Sequence, residues 1–224
     1  MSAEEKLLQF IATIEKGDVS ALLVRPKNAT HLLVFGHGAS TNMRHRTLQT
    51  IAENLAERNI ATLRYNFPYS ESGRGRDTTA TCVATIRSAV QFAHEQAPDL
   101  KLLAGGHSFG GRMTTTAQSE IPLEHIAGLV LSSFPLHPPG AHDTKRAEHL
   151  SKVKIPMLFL SGTRDTLADL DLFKPVVKKL GKLATLHLLE TADHSYKVQK
   201  RLRTSDEDVF AEMARVTAEW AEKI

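Results

Sequence analysis

Cysteine is nearly absent: Cys82 is the only one in 224 residues, so no disulfide can form within the chain. It falls in a helical stretch beside Val83 and Ile86, which suits a small buried apolar side chain rather than a nucleophile. No Cys or His pair has the spacing of a structural metal site, and no segment repeats. Long apolar runs are missing too; none approaches about 18 residues, which speaks against a membrane span. The opening Met1-Ser2-Ala3-Glu4-Glu5-Lys6 has no basic segment leading into an apolar one, so a soluble, cytoplasmic protein with no membrane association is expected. Charge of one sign is in small excess, a net +3, and the basic run Lys197, Lys200, Arg201 and Arg203 is joined only by the aromatic Tyr196. A nucleic-acid partner is therefore not expected.

With 42% hydrophobic and 24% charged residues, the length suits one well-buried core, and residues 1–224 are read as a single domain. Apolar segments at 19–25, 31–36, 60–65, 101–106, 127–132, 155–160 and 183–188 read as strands. They alternate with helical patterns near 46–58, 78–96, 109–119, 169–180 and 206–222. Such alternation predicts an α/β fold, a doubly wound, mostly parallel sheet of seven or eight strands flanked by helices. The eighth strand is the segment Leu7–Glu15, joined through a turn at Lys16-Gly17-Asp18 as an antiparallel edge hairpin. Asp77 and either Thr204 or Ser205 are the expected N-caps of two helices, with Glu207 and Asp208 in the first turn of the second.

The run Leu102-Leu103-Ala104-Gly105-Gly106-His107-Ser108-Phe109-Gly110-Gly111 joins an apolar strand to a helix through Gly-x-Ser-x-Gly. That pattern fits a nucleophile elbow, in which the chain turns within about one residue and lifts the serine hydroxyl clear of the sheet edge. Gly106 and Gly110, two residues either side of Ser108, leave room for the close approach of strand and helix. The competing reading is a Gly-rich turn with Ser108 as a plain N-cap. A serine hydroxyl needs a base, and the base needs a carboxylate to orient it. Asp165 follows the predicted strand ending in Ser161-Gly162-Thr163-Arg164, and His194 follows the next strand in Glu190-Thr191-Ala192-Asp193-His194-Ser195. Asp169 and Asp171 are rivals to Asp165, but they fall in the start of the next helix, where acids are ordinary. His187 lies inside a strand pattern and His137, His142 and His149 in an insertion, so none sits where a base belongs.

The order Ser, Asp, His, each at the carboxyl end of a strand, resembles the α/β-hydrolase superfamily from about residue 18 to the last helix. The finer resemblance is to small, nearly capless members similar to dienelactone-hydrolase-like proteins. Those enzymes proper use a cysteine, whereas this chain has serine, so their substrate does not carry over. The resemblance implies Ser108 as nucleophile, His194 as general base and acid, and Asp165 as the acid that holds the imidazole. It also implies an oxyanion hole from the backbone N–H groups of Phe109 and Ala39, the latter in the loop Phe35-Gly36-His37-Gly38-Ala39-Ser40, with Gly38 as the alternative. His37 reads as a brace for that loop.

Between Ser132 and Ile155 only a short insertion remains, about 134–152, so the lid is minimal and the pocket shallow. Phe134 and Leu136, with Phe109, are candidate apolar lining; the alternative is that Phe134-Pro135-Leu136 merely packs the insertion. Arg74 and Arg76 lie in a loop at the functional edge of the sheet and could receive a carboxylate or phosphate, against the reading that they are simply solvated. A serine hydrolase acting through an acyl-enzyme on a small ester, thioester or related acyl substrate follows, with no cofactor and no metal. A peptidase or acyltransferase could use the same triad, and a weakly active binding or scaffold protein could keep the same fold.

Overall fold

The computed structural model describes residues 4–224. Eight strands, β1 (Glu5–Thr13), β2 (Gly17–Val24), β3 (His31–Gly36), β4 (Ile60–Tyr65), β5 (Lys101–His107), β6 (Ile126–Ser132), β7 (Met157–Gly162) and β8 (Ala184–Leu189), form one sheet. Their spatial order is β1-β2-β4-β3-β5-β6-β7-β8. The pairs β1–β2 and β2–β4 are antiparallel and every other pair is parallel. The first hairpin turns at Gly17 with φ +71°, a conformation that glycine reaches without a steric penalty.

Six helices cover the sheet: α1 (Arg46–Glu57), α2 (Pro68–Ser72), α3 (Thr79–Gln96), α4 (Phe109–Glu120), α5 (Leu170–Leu180) and α6 (Val209–Ala221). Because strand side chains alternate between faces, each parallel strand feeds two apolar layers. Leu32, Val34, Leu102, Ala104, Leu129 and Leu131 pack with Cys82, Val83 and Ile86 of α3 and Met113 of α4. Leu33, Phe35, Leu103, Val130, Leu158 and Leu160 pack on the other side with Leu48 and Ile51 of α1 and Met213 and Trp220 of α6. Cys82 is fully buried in the first layer, and burial raises its thiol to about 11.

Several boundaries differ from expectation. β7 begins at Met157 rather than at 155, since Pro156 has no N–H to give to a ladder and only its carbonyl is used, by Leu129. The N-cap of α3 is Thr78, whose hydroxyl accepts from the Thr81 N–H; Asp77 instead accepts from the N–H of Tyr69 and pairs with Lys16. At α6 the cap is Asp208, taking the N–H groups of Phe210 and Ala211, while Thr204 binds Glu190 and Ser205 accepts only from Glu207. Glu207 lies outside the helix and holds Arg215. The insertion carries a 3₁₀ segment, Lys145–Lys152. No helix among the described residues is long and apolar enough to cross a membrane.

Candidate active site

At the carboxyl end of β5 the chain reverses sharply at Ser108, which holds φ +52° and ψ −113° before α4 begins. A non-glycine residue there stores strain, which the surroundings must hold in place. Crowding around it explains the two flanking glycines: a Cβ on Gly106 would lie 2.6 Å from the Gly36 carbonyl oxygen, and one on Gly110 would collide with the same peptide. The strand and helix meet backbone to backbone at this point.

The loops after β7 and β8 bring two further side chains to Ser108. His194 Nε2 is 2.8 Å from Ser108 Oγ, and its Nδ1 lies 2.9 and 2.8 Å from the two oxygens of Asp165. A carboxylate can only accept, so the Nδ1 nitrogen carries the hydrogen and Nε2 presents a lone pair to the serine hydroxyl. The Asp165 side chain is wholly buried and also accepts the Leu167 N–H at 2.9 Å. This chain of groups can draw a proton from Ser108 and keep the resulting imidazolium beside a fixed negative charge.

A third element supplies donors. His37 is buried, and its Nε2 accepts the backbone N–H of Phe67 at 3.1 Å. A peptide N–H can only donate, which leaves the hydrogen on Nδ1, and that nitrogen donates to the Gly38 carbonyl at 2.7 Å. Thr41 donates to the same oxygen through its N–H at 3.2 Å and its hydroxyl at 3.1 Å. With no cis peptide among the described residues, the Ala39 N–H must point opposite to that anchored carbonyl. Phe109, as the first residue of α4, has an N–H without an intrahelical acceptor. Burial lowers the His37 pKa to about 4, so the ring is neutral at pH 7.

His107, inside the elbow, was not singled out by sequence reasoning. Its Nε2 donates to the His194 carbonyl at 3.1 Å, and its ring lies 5.4 Å from that of His194. Burial and then the neighbouring His194 lower its pKa to about 4. The signal was present, a polar residue at a buried elbow position, but its partner lies 87 residues away. Tyr196, fully buried behind it with φ +65°, packs edge-on against His107 at 5.9 Å.

The expected substrate-facing residues are placed unequally. Phe134 and Leu136 have no exposed surface; Phe134 lies 5.9 Å from Phe159 and 6.3 Å from Phe173, ring to ring. Both are packing residues and not groove lining: Phe134 joins an aromatic cluster with Phe159 of β7 and Phe173 of α5, and Leu136 is buried in the same core layer. Phe109 is also almost buried, against Phe67 and Tyr69. Arg74 and Arg76 are exposed and, with Ala39 and Thr41, border an open groove of about 400 Å³. Arg76 also lies over the Phe109 ring, 5.0 Å from its centre. Among the described residues no three His, Cys, Asp or Glu side chains gather as a metal site.

A family model described as an alpha/beta hydrolase domain matches residues 29–222. The chain belongs to that family. Solved structures of similar fold include a dienelactone hydrolase from Anabaena variabilis, 19% identical, with a TM-score of 0.77 over 100% of this chain and 99% of that one. A lid-free α/β serine hydrolase from Xanthomonas campestris has 19% identity and a TM-score of 0.75, covering 98% of this chain and 96% of its own. An esterase domain from Rhodothermus marinus follows at 18% identity and TM-score 0.73, covering 98% of both chains. The fold of this alpha/beta hydrolase is thus the one its sequence pattern predicted, with an eight-stranded, mostly parallel sheet flanked by helices.

Proposed function

We propose that this alpha/beta hydrolase is a serine esterase that forms and then hydrolyses an acyl-enzyme on a small ester or thioester. The observation that carries the reading is the unbroken hydrogen-bond chain from Ser108 Oγ through His194 to buried Asp165. In this mechanism Ser108 Oγ attacks the carbonyl carbon as its proton passes to His194 Nε2. Asp165 stabilises the imidazolium, and the N–H groups of Ala39 and Phe109 hold the oxyanion. The imidazolium then protonates the leaving group; His194 next activates a water that releases the acid and returns the proton to Ser108. The names of the neighbouring structures, an esterase domain and a lid-free serine hydrolase among them, support the same class. The open groove bordered by Ala39, one of the two oxyanion donors in this reading, favours short, accessible acyl groups over long buried ones.

The test is turnover of p-nitrophenyl esters from acetate to palmitate by the wild type and Ser108→Ala, with fluorophosphonate labelling of both. Preference for short esters, labelling at Ser108 and a loss of about 10⁴-fold or more in kcat in the variant are expected. A folded protein whose Ser108 neither labels nor turns over any ester would shift the reading to a binding or scaffold role, and labelling without ester turnover to a peptidase or acyltransferase.

A further inference from the structure

Two guanidinium groups from separate elements stand over the ring of the residue that follows Ser108, and a third lies near enough to repel them. Arg76 comes from the loop before α3, Arg112 from α4 and Arg146 from the insertion. Arg112 lies one helical turn after Ser108, its N–H donating to the Ser108 carbonyl at 3.1 Å. Its guanidinium and that of Arg76 both stand over the ring of Phe109, the residue following Ser108, at 5.7 and 5.0 Å from the ring centre. Arg146 donates one hydrogen bond, from Nη1 to the His137 carbonyl at 3.0 Å.

Clusters of like charge are unfavourable unless something opposite sits among them. Other arginines that lose solvent have such partners, as Arg64 has Glu5, Arg203 has Glu212 and Arg215 has Glu207. By contrast, none of Arg76, Arg112 and Arg146 forms an ion pair with a described residue, and the guanidiniums of Arg76 and Arg112 donate no hydrogen bond to one. Arg112 and Arg146 are moreover half-buried. Desolvation, followed by repulsion from the other two members, lowers the pKa of Arg112, and desolvation and Arg76 do the same to Arg146, with Asp143 the one acid opposing it. Thr115 occupies the nearby His149, which burial and then Arg112 keep neutral.

We infer that Arg76, Arg112 and Arg146 form a receptor for an oxyanionic group, carboxylate or phosphate, on the substrate whose carbonyl meets Ser108. The inference rests on the esterase reading for its substrate but not for its anion site. Guanidinium forks match such groups in geometry, and the Phe109 ring beneath them keeps two of the forks together. Arg74, exposed on the same loop, borders the same groove as Arg76 but does not stand over the Phe109 ring.

The first arm of the test compares kcat/KM for p-nitrophenyl hexanoate and the mono-p-nitrophenyl ester of adipate, which differ by a terminal carboxylate. The wild type is expected to prefer the anionic ester by about tenfold or more, the size of one charge-assisted hydrogen bond. In Arg112→Gln and Arg146→Gln the ratio should fall toward one. An equal rate for the two esters in the wild type, or loss of both in the same proportion in the variants, overturns the proposal. The second arm needs no turnover: calorimetric titration of Ser108→Ala with monomethyl adipate and with inorganic phosphate. Binding weakened about tenfold by Arg112→Gln supports the receptor, and whichever probe binds names the group. If neither binds, the receptor is overturned. If neither ester is turned over while a probe binds, the esterase reading fails and the anion site stands.

Discussion

His37 acts on a peptide bond one residue away. Its single Nδ1 hydrogen anchors the Gly38 carbonyl, and the rigid peptide plane converts that into a direction for the Ala39 N–H. Replacing His37 with Leu removes the shortest of the three hydrogen bonds on that carbonyl, leaving only those of Thr41, and leaves the buried Phe67 N–H without its ring acceptor. If the Ala39 amide holds the oxyanion, kcat should fall about 10²-fold with little change in KM, the usual cost of one oxyanion donor. Asn at the same position offers an amide N–H near the place of Nδ1 and should recover part of kcat. Ester kinetics of the two variants check this; equal losses in both would sink it. At this scale the sequence was informative where one residue type has one chemical use. Ser108, Asp165 and His194 could be named, and the structure brings them within hydrogen-bond distance. It was silent where a role depends on a distant partner, as for His107 on His194 or Arg112 on Arg76.

Elements were legible through periodicity, while their ends were not. The buried parallel strands are continuous apolar runs, and the antiparallel β1 alternates about Phe10 and Ala12, so both kinds carried a pattern to be read. Caps carry no such pattern, because several Ser, Thr and Asp residues crowd each helix start and only local geometry selects among them. Before α6 the candidates were Thr204 and Ser205, but the side chain that meets two free N–H groups is Asp208. Asp208→Ala should therefore cost about 1 kcal/mol and lower Tm by roughly 2–4 °C, whereas Thr204→Ala should stay within about 0.5 kcal/mol. Thermal denaturation of the two variants discriminates the caps; equal shifts would contradict the assignment. The insertion misled in a related way. Phe134 is apolar wherever it points, and only the Phe159 and Phe173 rings decide that it points inward.

On the scale of the whole molecule, the site is built from neutral histidines buried behind the triad, and this couples the fold to pH. His37 and His107, buried at the ends of β3 and β5, and His149 in the insertion all have pKa values lowered to about 4 from 6.5, chiefly by burial. In the unfolded chain each returns to an ordinary histidine, so between pH 6.5 and 4 unfolding takes up protons that the native state refuses. A lowered pKa on a base means that stability is fully present above 6.5 and is lost progressively as pH falls through this window. The slope of unfolding free energy against pH in the window approaches three protons if all three rings respond. Glu71 and Glu207, whose carboxylates are held below their usual range by hydrogen bonds, steepen the loss toward its acid end. Urea denaturation from pH 7.5 to 4 should show the midpoint falling with each step below 6.5, and His149→Gln, which removes the ring in the insertion, should make the decline shallower by up to one proton. A midpoint that stays constant from pH 6.5 to 5 would mean that these rings are charged in the native state, and the tautomers assigned at His37 and with it the direction of the Ala39 N–H would have to be redrawn.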